Sequence, residues 1–413
     1  MTPNISTASK PSAKGANPYL LPFILITSLF FMWGFARSIL DVLNKHFQES
    51  MEISVAQSTM VQASTYVAYA LMALPAGIFI TKYGYRRGVV FGLLLFGLGA
   101  LAFIPGDMIG SFGFFIAPLF IIGCGLAVLE TAANPYAAEL GDPAKAASRL
   151  NLSQSFNGLG CILGPVLVGG FLFSGDGESS VALPYAIMGC IVLLVAFIFT
   201  RVKLPEIKNE SDAPGANEKR TLGGNIKWLW SSNRFKCGVL ALFCYEIAEI
   251  AINSLFINYV TEDGWMDKIT ATWALSFGAL GLFLLARVAG SAIMNYIKAE
   301  KVLAFCAVMT VIGAALVTLD LGLLSRVGLF MCYAFEAIMF PTIFAITISG
   351  CASATKIASS FLMMTPLGGA VGTFLMGWVA GMTNMSTSFI VPTLAYCAVL
   401  FYAIPAMRGK FKN

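Results

Sequence analysis

AVLETAANPYAAELG (127–141) and AFEAIMFPTIFAITISG (334–350) are the two stretches from which the rest of the chain can be read. Both are apolar, and each holds an acid, Glu130 or Glu336, five residues before a proline, Pro135 or Pro341. Apolar runs of this kind recur along the 413 residues, of which 58% are hydrophobic and only 11% charged. A soluble domain carries about 25% charged residues. A chain this apolar cannot enclose its side chains in a water-soluble core, so lipid must be the solvent for much of its surface. One crossing of the hydrocarbon takes roughly 20 apolar residues, and the runs accommodate about a dozen crossings.

Lipid offers the backbone no hydrogen bonds, so a spanning segment must be a helix or part of a closed barrel. The runs are continuous and lack the alternation of barrel strands. Helices are expected at 20–45, 54–80, 88–106, 112–138, 149–174, 182–202, 236–260, 270–297, 301–319, 325–350, 356–382 and 386–407. The fold class is an all-α membrane protein with 12 transmembrane helices. With both termini placed inside, 21 of the 26 Lys and Arg residues fall on the cytoplasmic side. That bias is the positive-inside rule. It accounts for the formal charge of +5 without a nucleic-acid partner, and it fits a bacterial inner membrane. The nine cysteines show neither CxxC nor metal spacing and read as small packing residues. No cofactor, metal centre or nucleophile set is expected, which argues against an enzyme.

Residues 203–234 form a long polar stretch rich in Pro, Asn, Glu, Asp and Lys, read as a cytoplasmic linker. It separates a six-helix half at 19–202 from another at 235–408, with polar cytoplasmic tails at 1–18 and 409–413. The first tail is expected to be disordered. The halves echo each other. Ala76-Gly77, Lys82-Tyr83 and Arg86-Arg87 follow the second helix; Ala289-Gly290, Asn295-Tyr296 and Lys298…Lys301 follow the eighth. With the two Glu…Pro spacings, this points to duplication. Two parallel six-helix halves around a midplane site describe the major facilitator fold.

A charge near the bilayer centre costs roughly 2.5–3.5 kcal/mol on insertion scales, so its presence there calls for a function. Arg37, Asp41, Glu130, Glu246, Glu249, Arg287 and Glu336 all fall inside expected helices. Structural ion pairing is the plain reading, above all for Arg37 and Asp41, an i,i+4 pair. A proton relay is the sharper one, and Glu130 suits it best because no basic residue shares its helix. Asn134 follows Glu130 by one turn, and Asn151, Gln154 and Asn157 recur at every third position. Such amides suit sugar hydroxyls, and they also serve as glue between membrane helices. Pro135, Pro165, Pro341 and Pro366 are expected to kink their helices. His46, the sole histidine, reads as a surface residue.

LETAANPYAAELG (129–141) followed by RLNLSQSFNGLG (149–160) closely resembles the fucose–galactose–glucose/proton symporter family of the major facilitator superfamily. FFMWGFARSILDVLNKHF (30–47), PAGIFITKYGYRRG (75–88) and FPTIFAITISG (340–350) agree with it, so the likeness runs from the first helix to the last. The resemblance implies that Asp41 and Glu130 are the protonatable pair and that Gln154 and Asn157 lie near the sugar. It places Glu249 at the family's polar position in the seventh helix and Arg287 at its arginine in the eighth. Arg37, Ser38 and Leu40 stand where the family's L-fucose carrier has asparagines, and Glu336 replaces an expected neutral residue.

The expected function is uptake of a neutral monosaccharide with a proton by alternating access. Glucose, galactose, fucose, fructose and N-acetylglucosamine are all candidates. Asn134, Gln154, Asn157, Glu249 and Asn253 would hold the sugar, Asp41 and Glu130 would couple the proton, and Arg37, Arg287 and Glu336 would gate or pair charges. A monomer is expected. Sodium coupling is the alternative, as is export of another small solute on the same fold.

Overall fold

The structure, a computed structural model, describes residues 20–50, 60–164, 167, 182–202, 221–262, 264–351 and 354–410. The first tail at 1–18, the 203–220 part of the linker and Pro165 lie outside the described residues, as do the side chains of Asp41 and His46. The membrane helices are α1 (Leu20–Ser50), α2 (Met60–Tyr83), α3 (Tyr85–Gly106), α4 (Phe112–Glu139), α5 (Ala146–Gly164) and α6 (Ala182–Arg201). In the second half they are α7 (Asn233–Glu262), α8 (Ala274–Ile293), α9 (Ala299–Thr318), α10 (Leu323–Ile348), α11 (Thr355–Met382) and α12 (Met385–Met407). Eleven of these are apolar and long enough to cross a bilayer; α5 alone falls short over its described length. Its described part ends at Gly164, ahead of the apolar sequence at 165–174 that the expected helix includes. Large apolar side chains such as Leu98, Leu194, Phe305, Phe374 and Phe401 stand exposed along the spans, as expected of surfaces that face lipid.

The duplication extends from sequence to packing. In the first half α1 packs on α5, and α3 packs on α4 and α6. In the second, α7 packs on α11, and α9 packs on α10 and α12. Close approach at the first pair in each half depends on missing side chains. A Cβ on Gly160 of α5 would run into the Phe31 carbonyl of α1, and one on Gly372 of α11 into the Ile247 carbonyl of α7. The halves meet along a seam made chiefly by α5 with α8 and by α2 with α11. Leu222–Ser231, inside the stretch read as a linker, is a short helix capped by Thr221, whose hydroxyl accepts from the Gly224 amide at 3.2 Å. Its Leu229 is buried with Phe235, Cys351, Ala354, Ile357 and Ala358, so this part of the stretch docks on the second half.

The prolines act differently from one another. α4 runs unbroken through Pro135, whereas α10 breaks at Ala337–Ile338, just ahead of Pro341. α11 breaks between Leu362 and Leu367, across Pro366. α8 opens with a wide π turn over Ala274–Ala279.

Gly160→Leu is expected to force α1 and α5 apart and to destabilise the protein by about 1–3 kcal/mol, the usual cost of overpacking. Thermal unfolding of the purified variant in detergent, followed by size-exclusion chromatography, reads the loss. An unchanged midpoint would refute the close α1–α5 contact.

Candidate functional site

A helical carbonyl accepts from the amide four residues on, so a proline leaves the carbonyl four residues before it free. Pro135 frees the carbonyl of Thr131, and Pro341 frees that of Ala337. Both find side-chain donors. Ser359 Oγ of α11 donates to the Thr131 carbonyl at 3.0 Å, across the seam. Arg287 Nε of α8 donates to the Ala337 carbonyl at 2.7 Å. Each freed carbonyl belongs to the residue just after one of the two buried acids, Glu130 and Glu336. The acids are 4% and 0% exposed.

Each acid is held by a tyrosine. Tyr69 Oη of α2 donates to Glu130 Oε1 at 2.5 Å. Tyr396 Oη of α12 donates to Glu336 Oε2. Neither tyrosine is distinguishable in the sequence from the other aromatics of the spans. Between the acids lie the remaining charges. Arg37 is hydrogen bonded to Tyr66 and lies within electrostatic reach of Glu130, Glu246 and Glu249. Arg287 lies within reach of Glu246, Glu249 and Glu336 and stacks on Phe283, 4.4 Å from its ring centroid. The charges therefore alternate from one half to the other: Glu130, Arg37, the Glu246–Glu249 pair, Arg287, Glu336. Glu246, named as a buried charge without a role, turns out to sit in the middle of this series. Asn253 Nδ2 donates to Glu249 Oε1 at 3.1 Å, one turn along α7.

The amides of α5 part company. Three residues turn a helix about 300°, so each step falls about 60° short of a full turn. Asn151 faces the seam, where its Nδ2 donates to Thr342 Oγ1 of α10 at 3.0 Å. Gln154 faces α4, where its Nε2 donates to Asn134 Oδ1 at 3.1 Å. Asn157 faces α1, and its Nδ2 donates to the Phe30 carbonyl at 3.3 Å. The structure thus brings Gln154 together with Asn134, one turn from Glu130, and sets Asn157 as a tie between α1 and α5.

The end of the bundle that carries the basic loops is closed. Ser148 of α5 and Ser291 of α8 each donate to the other's carbonyl at 2.8 Å. Arg287 Nη1 reaches the Gln154 carbonyl at 3.3 Å, and Asn134 Nδ2 the sulfur of Met363 at 3.3 Å. Lys356 of α11 lies 4.8 Å from the Tyr85 ring centroid, and Tyr85 Oη donates to Glu139 Oε2 at 3.1 Å. At the opposite end α1 and α7 form no close packing among the described residues.

The sequence profile of the Major Facilitator Superfamily matches residues 23–373. The chain belongs to the major facilitator superfamily. Two relatives place it further. It is 32% identical over 412 residues to the L-fucose-proton symporter of Escherichia coli, covering 93% of each chain. It is 31% identical over 388 residues to a glucose/galactose transporter of Brucella abortus, covering 92% of each. Within the superfamily this is the fucose–galactose–glucose/proton symporter family that the 129–160 signature implied. The crystal structure of the E. coli fucose:proton symporter, solved in the outward conformation, superposes with a TM-score of 0.85 at 31% identity, over 94% of this chain and 99% of that one.

Ser359→Ala removes the donor to the proline-freed Thr131 carbonyl. An interhelical hydrogen bond in a membrane averages about 0.6 kcal/mol, or roughly a threefold shift in an equilibrium. The variant should populate a form open at the basic end about three times more, as read by spin-label distances between α5 and α8 near Ser148 and Asn295. No change in the distance distribution would show that this bond does not hold the seam.

Proposed function

We propose that this protein takes up a neutral hexose together with a proton by alternating access. The observation that carries the reading is the shared turn of α4: Glu130, buried and held by Tyr69, lies one helical turn from Asn134, whose side chain is bonded to Gln154. A proton acceptor and a pair of amides suited to sugar hydroxyls therefore respond to each other through a single turn. The family relatives named for fucose and for glucose and galactose support the substrate class.

In this reading residues 19–202 rock against residues 235–408, with 203–234 as the cytoplasmic connection. Sugar is held by Asn134 and Gln154 from the first half and by Glu249 and Asn253 from the second. Asn157 keeps α1, with Arg37 and Asp41, at its place beside α5. Glu130 takes the coupling proton, and Asp41 links that event to sugar binding. Arg37 faces the α7 acids across the site, where a guanidinium and a carboxylate can each bond the adjacent hydroxyls of one ring. Arg287 and Glu336 lie on the far side of the site and pair charges once the basic end opens.

The basic end faces the cytoplasm by the positive-inside rule, so both termini lie there and the membrane is the bacterial inner membrane. Closure at that end makes this an outward-facing form, in keeping with the outward conformation of the E. coli relative. The working unit is a monomer, since each site is complete within one chain.

The first test is counterflow in proteoliposomes without an ion gradient, using labelled L-fucose, glucose, galactose, fructose and N-acetylglucosamine. Exchange of one or two of these supports the reading; failure of all five in folded protein overturns the hexose assignment. Glu130→Gln should then abolish gradient-driven accumulation while leaving counterflow at about its original rate. Full accumulation by that variant would remove Glu130 from the coupling role. Accumulation that follows sodium at fixed pH would replace the proton with sodium.

A further inference from the structure

The described side chains of the site hold four carboxyls, Glu130, Glu246, Glu249 and Glu336, against two guanidinia, Arg37 and Arg287. Fully ionised, they would leave two negative charges uncompensated in a medium that solvates charge poorly. The α7 acids lie between the two arginines. The outer acids, Glu130 and Glu336, are the ones bonded by tyrosine hydroxyls.

Glu336 goes further than Glu130. It is fully buried, and its Oε1 has no hydrogen-bond partner among the described residues. The titratable groups facing it are Glu249 and Tyr245 of α7, Arg287 of α8, Cys332 and Tyr333 of α10 itself, and Tyr396 of α12. Only Arg287 among these is a cation, and its bonds go elsewhere. Nε is directed to the Ala337 carbonyl that Pro341 frees, and Nη1 crosses the seam to the Gln154 carbonyl. With Arg287 occupied in this way, the orphaned oxygen is in keeping with a neutral carboxyl.

We propose that Glu336 is a second coupling-proton site, loaded while Arg287 is tied to Gln154 and unloaded when the opening seam sets Arg287 free. The proposal rests on the symport reading above. In the form closed at the basic end, the carboxylate accepts one proton, an O–H bond forms, and the local charge disappears. When α5 and α8 separate, Nη1 loses the Gln154 carbonyl. The guanidinium, still anchored one residue away at Ala337, then turns to Glu336. The O–H bond breaks, the electron pair stays on the carboxylate as the partner of Arg287, and the proton leaves toward the side that has opened. Gln154 thus takes part twice: its side chain meets Asn134 beside the sugar, and its carbonyl decides where Arg287 points. Each half would then carry one proton on its own Glu…Pro segment, and the carrier would move two protons per sugar.

The proton-to-sugar ratio is measured from the membrane potential at which net sugar flux vanishes in proteoliposomes, using the hexose that counterflow selects. A ratio of two is expected for the wild type, one for Glu336→Gln, and two again for Glu336→Asp, which restores a carboxyl. Glu336→Met, apolar and of similar length, is the replacement if glutamine in this apolar setting does not fold. A wild-type ratio of one overturns the second site while leaving the symport reading intact, and so does a ratio of two that survives Glu336→Gln or Glu336→Met. A ratio of zero overturns both.

Discussion

Pro135 and Pro341 each remove a backbone N–H where lipid can supply no substitute donor, and the design of the site follows from how the two stranded carbonyls are satisfied. In water a freed helical carbonyl is hydrated at little cost. Inside a bilayer an unsatisfied carbonyl costs several kcal/mol, so a neighbouring helix must donate to it. Thr131 receives Ser359 from α11, and Ala337 receives Arg287 from α8. One donor belongs to the opposite half and the other bridges to it through Gln154. Ser359 thereby ties the first half's freed carbonyl to the second half, and Arg287 ties the second half's freed carbonyl to Gln154 of the first. Each buried acid lies on the same turn as its freed carbonyl, one residue before it.

The duplication is close in plan and loose in detail. The two Glu…Pro segments keep their spacing, but the donors differ: a hydroxyl in one half, a guanidinium in the other. The tyrosines differ in origin too, since Tyr69 comes from α2 and Tyr396 from α12, which are not equivalent helices. The halves have kept the backbone device and changed the chemistry around it. A neutral donor that leaves its carbonyl leaves no bare charge behind. A guanidinium, once displaced, needs an anion, and Glu336 lies within its reach.

Much of this was open to reading in the sequence, because lipid imposes simple rules. Continuous apolarity located the described spans within a few residues, and the paired Glu…Pro spacings exposed the duplication. α5 shows where the rules weaken, because an apolar run says nothing of which neighbour each of its polar side chains will meet. The amides also misled. Asn151, Gln154 and Asn157 look like one stripe in the sequence, but a three-residue step drifts by about 60°, so they face α10, α4 and α1 in turn. Tyr69 and Tyr396 were not legible, since a tyrosine in an aromatic-rich chain carries no mark of its partner, and each lies some 60 residues from its acid. Thr131 and Ala337 were legible in principle: counting back four residues from Pro135 and Pro341 names them.

The strengths of the contacts are graded in a way that suits a structure that must come apart. The bonds of Ser148 with Ser291, Asn151 with Thr342 and Ser359 with Thr131 join neutral groups, each worth about 0.6 kcal/mol in a membrane. Together with Asn134 to Met363 and Arg287 to Gln154, they amount to a few kcal/mol, within the range that sugar and proton binding can overturn. A buried ion pair in their place would cost about 3–5 kcal/mol to break and would hold the basic end shut. The charges that do face each other across the halves, Arg37 with Glu246 and Glu249, lie near the middle of the spans. Rocking about a central site changes distances least at the pivot and most at the ends. Strong interactions at the pivot can therefore persist through the cycle, while weak neutral ones at the end are made and broken in each turn.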